Sequence, residues 1–155
     1  MFCGRLRTQS PNSYSVVHFG FTLVLPSRLR TGKESILIGV CDTTEFPKYL
    51  TANAYSSPKA AMMANNGCIY TAKTNRGQNV VPQRWQEWSA EADLEKRTLH
   101  FFIDGVQQPH HFINIPVPLV FAIIPSVEGV QIEITYWGEE DRSHVTYQGE
   151  GHNLG

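Results

Sequence analysis

Carboxylate side chains recur along one stretch of the chain at a spacing that could serve hydrolysis. Four acidic residues occupy alternate positions between residues 87 and 95: Glu87, Glu91, Asp93 and Glu95. In a strand, acids two or four residues apart lie on one face, and a glycoside hydrolase needs two carboxyl groups about 5–10 Å apart. The same face carries Arg97 and ends in a predicted turn. We therefore interpret it as a solvated face and expect no catalytic residues.

The histidines could bind a metal ion, but the sequence does not bring them together. His110 and His111 are adjacent, and neighbours in a strand point to opposite faces, so they cannot easily share one ion. The remaining four are far apart in the chain: His18, His100, His144 and His152. We expect structural histidines, with no metal site and no cofactor.

The three cysteines are odd in number and widely spaced, at Cys3, Cys41 and Cys68. They form neither a disulfide framework nor a Cys-x-x-Cys metal site. Cys41 and Cys68 follow or begin apolar runs and are predicted to be small buried hydrophobic residues. No Asn-x-Ser/Thr acceptor occurs. These features favour a reducing, intracellular and cytoplasmic location.

Charge and hydropathy argue against two classes of partner. The net charge is −1, which gives no general attraction to nucleic acid. A small basic loop, Arg28 to Lys33, has no interleaved aromatic residues for base stacking. No apolar run approaches the roughly 20 residues of a membrane helix. We expect no nucleic-acid partner and no membrane span, and the sequence leaves the oligomeric state open.

The stretch from Thr98 to Gly105 predicts the strand around which the fold is built. Leu99, Phe101 and Ile103 occupy alternate positions, and Asp104-Gly105 follows as a turn. Upstream, a second alternating set ends at a polar reversal, Glu95-Lys96-Arg97; it comprises Trp88, Ala90, Ala92 and Leu94. The two strands form an antiparallel hairpin with one apolar face. Because such a hairpin is only marginally stable in water, a second sheet must cover it.

Further short strands and turns complete an all-β prediction. Apolar residues alternate over Phe19–Leu25 and over Val130–Tyr136, whereas Ile36–Cys41 is apolar on both faces and so predicts a central strand. Lys59–Ala64 is predicted to form a helical turn or two, and Thr74–Asn79 a turn. The sequence thus predicts an antiparallel two-sheet β-sandwich with little helix. It divides into a polar leader (1–13), the sandwich (14–137) and a polar acidic tail or edge strand (138–155).

Several segments together resemble a SPRY domain, a concanavalin-like β-sandwich of jelly-roll type. The most typical is Asp93–Gly105, which resembles the pattern Asp-x-x-x-x-Thr-Leu-x-Phe followed by Asn-Gly, with Asp104 in place of Asn. Ile38–Asp42 and Gly67–Tyr70 resemble two earlier strands of the family. The resemblance covers roughly Tyr14 to Trp137.

The resemblance implies a noncatalytic module that binds a protein or a short peptide through loops at one edge of the sandwich. Such modules commonly belong to signalling, scaffold or ubiquitin-ligase proteins. The implied loops place Tyr49, Ile124 and Pro125 near the ligand, and we add Tyr55 and Trp85 as candidate aromatic anchors. The alternative is a lectin-like sandwich in which Trp85 or Trp88 stacks on a sugar, although the alternating pattern favours a core position for Trp88.

Overall fold

The structure is a computed structural model that describes residues 2–5, 18–26, 36–44, 57–125, 129–140 and 142–154. Side chains are described from residue 18 onward. The described residues form thirteen strands: β1 (Phe2–Arg5), β2 (His18–Val24), β3 (Ile36–Asp42), β4 (Ala60–Ala64), β5 (Cys68–Thr71), β6 (Thr74–Gln78), β7 (Trp88–Asp93), β8 (Thr98–Ile103), β9 (Val106–Gln107), β10 (His110–Ile113), β11 (Leu119–Pro125), β12 (Glu133–Glu140) and β13 (Glu150–Asn153). A search of the described residues finds no helix with the length and apolar character needed to cross a membrane.

Two sheets pack face to face as a sandwich, as the sequence predicts. Sheet A has the strand order β1-β11-β3-β4-β5-β6, and sheet B has the order β12-β2-β7-β8-β10-β13 with β9 paired to β8. Neighbouring strands are antiparallel except for β10 and β13, which run parallel. Strand β1 lies within residues 1–13, which are predicted to form a polar leader, and it pairs with β11.

The core forms between the sheets because apolar residues alternate along the strands that line it. Leu99, Phe101 and Ile103 of β8 face inward and are at most 5% exposed, which confirms the predicted face. Phe19 and Phe21 of β2 contact Phe121 of β11 with ring centroids 5.0 and 5.5 Å apart. Aromatic contacts of this geometry stabilise a core beyond the area that they bury. The predicted core position of Trp88 is also confirmed.

Strand β3 is buried on both faces, in agreement with its prediction as a central strand. It pairs with β11 on one side and with β4 on the other. Its inward residues join the core between the sheets, whereas Leu37 and Cys41 belong to a second apolar cluster on the outer face of sheet A. That cluster also contains Met62, Val120 and Ile124. The central strands of sheet A, β3, β4 and β11, are therefore apolar on both faces.

Two predictions about the region between β3 and β7 are wrong. Residues 60–64, predicted as helical, form strand β4, because pairing with β3 and burial of both faces override the helix preference of alanine and methionine. Thr74–Asn79, predicted as a turn, contains the polar edge strand β6. The chain turns between β5 and β6, where Ala72 and Lys73 adopt φ values of 49° and 62°.

Strand β12 departs from simple alternation at a bulge. The register with β2 shifts between Ile134 and Tyr136, and a bulge moves the following side chains to the other face. Ile134 packs against the core, but the predicted inward position of Tyr136 is wrong, since Trp137 takes it. The indole of Trp137 stacks on Phe21 with centroids 5.4 Å apart.

Candidate functional site

One end of the sandwich carries a long loop that is fastened to both sheets. Asn79 begins the loop, and its backbone N–H donates to the carbonyl of Gly67 beside sheet A. Its side-chain amide donates to the carbonyl of His110 and accepts from the N–H of the same residue, in sheet B. Val80 N–H then donates to Gln108 Oε1. The first residues of the loop thus bridge the two layers.

The second half of the loop is held against the ends of β2 and β8. Trp85 N–H donates to the carbonyl of Leu25, and Arg84 Nε donates to the carbonyl of Pro26 at 2.7 Å. Asp104, in the turn after β8, accepts from Glu87 N–H and from the Gln86 side chain. The loop conformation is consequently fixed by the sandwich beneath it.

Trp85 projects from this loop into solvent. Its side chain is 57% exposed, and its φ of 69° lies in the left-handed region that large side chains rarely adopt. The guanidinium of Arg84 lies 6.0 Å from the centroid of the indole. Such a backbone conformation persists only where surrounding contacts hold it.

Exposed apolar residues concentrate around Trp85. Seven large hydrophobic side chains are exposed among the residues whose side chains are described, and four of them lie in this region: Val80, Val81, Trp85 and Val106. Gln108 links two of them, since it binds Val80 N–H and donates to the carbonyl of Val106. We call these four residues the loop-end surface.

The other predicted anchors lie in different environments. Pro125 ends β11 opposite Ile36 and is half-buried. Ile124 is 3% exposed and packs in the second apolar cluster of sheet A. Tyr49 and Tyr55 lie outside the described residues. The topology places Pro125 and Trp85 at the same end of the sandwich, because Asn65 and Gly67 link the start of β3 to the start of the loop.

The carboxylates of β7 are buried, so the prediction of a solvated face is wrong for Glu91 and Asp93, whereas Glu87 and Glu95 are exposed. Glu91 and Asp93 are 5% and 6% exposed. Glu91 accepts from the backbone N–H of His144 and lies 2.8 Å from its Nδ1. Asp93 Oδ1 accepts from the N–H groups of Glu95 and Lys96 and so caps the turn after β7. Both carboxylates therefore hold neighbouring segments in place.

The burial has a visible cause in the chain that follows β12. Strands β12 and β13 lie on opposite edges of sheet B, so the chain between them must cross its outer face. Residues 142–148, which we call the crossing segment, cover Glu91 and bind Gln107 through Thr146 and Tyr147. Cavities of about 280 and 300 Å³ flank this segment, and Glu91 lines both.

Two histidines stack beneath the crossing segment. The rings of His100 and His111 lie 4.1 Å apart between centroids, nearly parallel. Burial, followed by the nearby charge of His111, lowers the pKa of His100 to about 4. Burial also lowers the pKa of His111. Neutral imidazole rings are thus favoured at this position near neutral pH.

Comparison with solved structures shows a clear likeness of fold. The crystal structure of the SPRY domain of human HERC1 superimposes with a TM-score of 0.59 at 14% sequence identity, over 81% of this chain and 77% of that one. The chain has a SPRY-like fold. No protein-family model matches it, and none of the curated proteins matches at a significant level.

In this SPRY-like fold the segment that carries the sequence resemblance lies in the centre of sheet B. Asp93–Gly105 runs from the end of β7 through β8 to the following turn. Asp104 and Gly105 both adopt positive φ, 49° and 75°, as the predicted turn requires. The resemblance thus rests on the hairpin core and on the turn that anchors the loop of Trp85.

The SPRY-like fold also brings together a group that the sequence does not reveal. His110, Glu150 and His152 place their ligand atoms within 4.8 Å of one another. Burial and the nearby charge of His110 lower the pKa of His152. The separation of 42 residues between the two histidines hides the pair from sequence inspection. Only the pairing of β10 with β13 makes them neighbours.

Proposed function

We propose that the chain is a noncatalytic module that binds a protein or a short peptide through the loop-end surface. The observation that carries this proposal is the exposed Trp85 on a loop fastened to both sheets. Exposed tryptophan and tyrosine give a large contact area with few rotatable bonds to freeze, so they dominate many binding surfaces. Proteins with a SPRY-like fold supply a precedent for this role.

The rigid support of the loop favours binding over a purely structural role. A loop that is already ordered loses little conformational entropy when a partner binds, which improves affinity. Asp104 and the carbonyls of Leu25 and Pro26 hold the loop from below. Concentration of four exposed apolar side chains at one place is also typical of interaction surfaces.

Charge next to Trp85 suggests the chemistry of the ligand. Arg84 lies over the ring, so a cation borders the apolar surface. A peptide with an apolar or aromatic side chain next to an acidic residue would complement both features. We propose this class of peptide as the ligand. We also propose that this chain belongs to an intracellular protein.

The absence of catalysis is part of the proposal and is supported by the buried carboxylates. Glu91 and Asp93 are committed to hydrogen bonds with the crossing segment and with the turn after β7. A hydrolase requires one carboxyl group to exchange a proton with the substrate and a second to face the scissile bond. The contacts of both residues supply a structural reason for their presence.

The test is a selection followed by an affinity measurement. A random peptide-display library is selected on the immobilised full chain, and the enriched peptide is titrated by calorimetry. We expect Trp85→Ala to weaken its binding by roughly 30-fold, which corresponds to the loss of an aromatic anchor worth about 2 kcal/mol.

Val117→Ala is the control, because Val117 is an exposed apolar residue that precedes β11, whose other end carries Pro125. It should leave the affinity unchanged. Equal loss in both variants, or none in Trp85→Ala, would contradict the proposal. Binding on a glycan array together with an empty peptide selection would favour the lectin-like alternative.

A further inference from the structure

Strands β10 and β13 present three metal-binding side chains at the open edge of sheet B. The parallel register pairs His110 with Glu150 and Phe112 with His152. Positions two residues apart share one face of a strand. Histidine and glutamate are ordinary ligands of divalent transition metals, and two histidines with one carboxylate leave room for a further ligand.

The distances between these side chains match the separation of ligands around one ion. His110 Nδ1 lies 3.0 Å from His152 Nε2 and 3.5 Å from Glu150 Oε2. Ligand atoms about 2.0–2.2 Å from a tetrahedral Zn²⁺ ion are about 3.3–3.6 Å apart. The ligand atoms of Glu150 and His152 lie within 4.8 Å of each other, so the carboxylate must turn toward the ion for all three residues to bind it.

The fold holds His110 in the orientation that this geometry requires. Asn79 bonds to both the N–H and the carbonyl of His110, so the backbone cannot shift freely. Gly77 of β6 lies against the ring, and a Cβ there would come within 2.5 Å of His110 Nδ1. A ligand fixed by backbone bonds and close packing is suited to metal binding.

One neighbouring charge opposes a cation and gives the proposal a directional test. Arg76 precedes Gly77 on β6, whose backbone packs against the ring of His110, and its charge is among those that act on His152. Its guanidinium would repel a metal ion at the same place, while Glu150 attracts it. Removal of the Arg76 charge should therefore strengthen metal binding, whereas removal of the Glu150 charge should weaken it.

We propose that His110, Glu150 and His152 form a site for a divalent transition-metal ion such as Zn²⁺, with its remaining position open to water or to a partner's ligand. The ion would join β13 to β10 and so hold the last strand of sheet B in place. Metal that binds only the folded state at 100 times its Kd would raise the Tm by about 5–10 °C in a chain of this size.

The experiment uses the full chain without a polyhistidine tag, stripped with EDTA and titrated with Zn²⁺ against a chelating dye. We expect one ion per chain, at least 10-fold weaker binding in His152→Ala and Glu150→Gln, and tighter binding in Arg76→Gln. A Co²⁺ spectrum without a thiolate charge-transfer band should exclude the cysteines as ligands. In excess Zn²⁺, thermal unfolding should show this rise in Tm in the wild type and a smaller rise in His152→Ala and Glu150→Gln.

His144→Ala is the matched control, because His144 also lies beside two carboxylates, Glu91 and Glu140. This variant should bind Zn²⁺ with the affinity of the wild type. Far-UV circular dichroism verifies that each variant is folded, and Glu150→Gln keeps the test valid if His152→Ala does not fold. Lack of saturable binding, or equal affinity in the wild type and Glu150→Gln, would overturn the proposal. The two histidines would then share only a hydrogen bond.

Discussion

Acid should destabilise this protein through His100, and the size of the effect follows from its burial. The His100 side chain is buried, and its residue is 5% exposed beneath the crossing segment. Its pKa falls from 6.5 to about 4, chiefly because burial penalises the charged ring. Of the groups that face it, Asp93 raises the pKa, whereas His111 and Lys96 lower it.

The sign follows from linkage between protonation and folding. The folded-state pKa lies below the unfolded value, so the unfolded chain takes up the proton first. The stability contributed by the neutral ring is therefore complete above about pH 6.5 and is lost as the pH falls toward 4. At about pH 4.5 the low pKa of His100 in the folded chain lowers the unfolding free energy by about 2–3 kcal/mol relative to neutral pH.

The assay is urea unfolding at about pH 7.5 and pH 4.5 for the wild type, His100→Phe and His100→Gln. Both variants remove the titrating group, one with a ring and one without, so they separate protonation from packing. We expect the acid-induced loss of unfolding free energy to shrink by about 2–3 kcal/mol in both variants. The same pH dependence in all three proteins would refute the burial argument.

Two further predictions concern the core and the carboxylates. Phe101→Ala should lower the unfolding free energy by about 3–5 kcal/mol, because it opens a cavity between the sheets. Lys96→Ala in the exposed reversal should change it by less than about 0.5 kcal/mol in the same urea titration, and comparable effects would contradict the face assignment. Neither the wild type nor Glu91→Gln should hydrolyse any of a panel of β-glucans. Turnover by the wild type that disappears in Glu91→Gln would establish a hydrolase instead.

The sequence predicts the framework well where local chemistry and burial agree. Leu99, Phe101 and Ile103 alternate because one face of β8 forms the core, and Asp104-Gly105 suits the positive φ of the turn. Residues 60–64 mislead because their helix preference is local, whereas their strand conformation arises from pairing with β3. Simple alternation of apolar residues does not reveal the bulge in β12, which turns Trp137 instead of Tyr136 toward the core.

The functional groups are harder to predict because they depend on contacts between distant segments. Glu91 binds His144 of the crossing segment, which lies 53 residues later in the chain. His110 and His152 meet only because β13 adds to sheet B as a parallel edge strand. Trp85, by contrast, is proposed as an anchor from the sequence alone, and the structure leaves it exposed.

The central claim is that the loop-end surface is where this SPRY-like fold binds its partner. The chain has three tryptophans, so their indole N–H signals can be followed individually by NMR during titration with the selected peptide. The account predicts a large shift of the Trp85 signal, with Trp88, which is fully buried, and Trp137 nearly unchanged. A saturable titration that leaves Trp85 unmoved would contradict it.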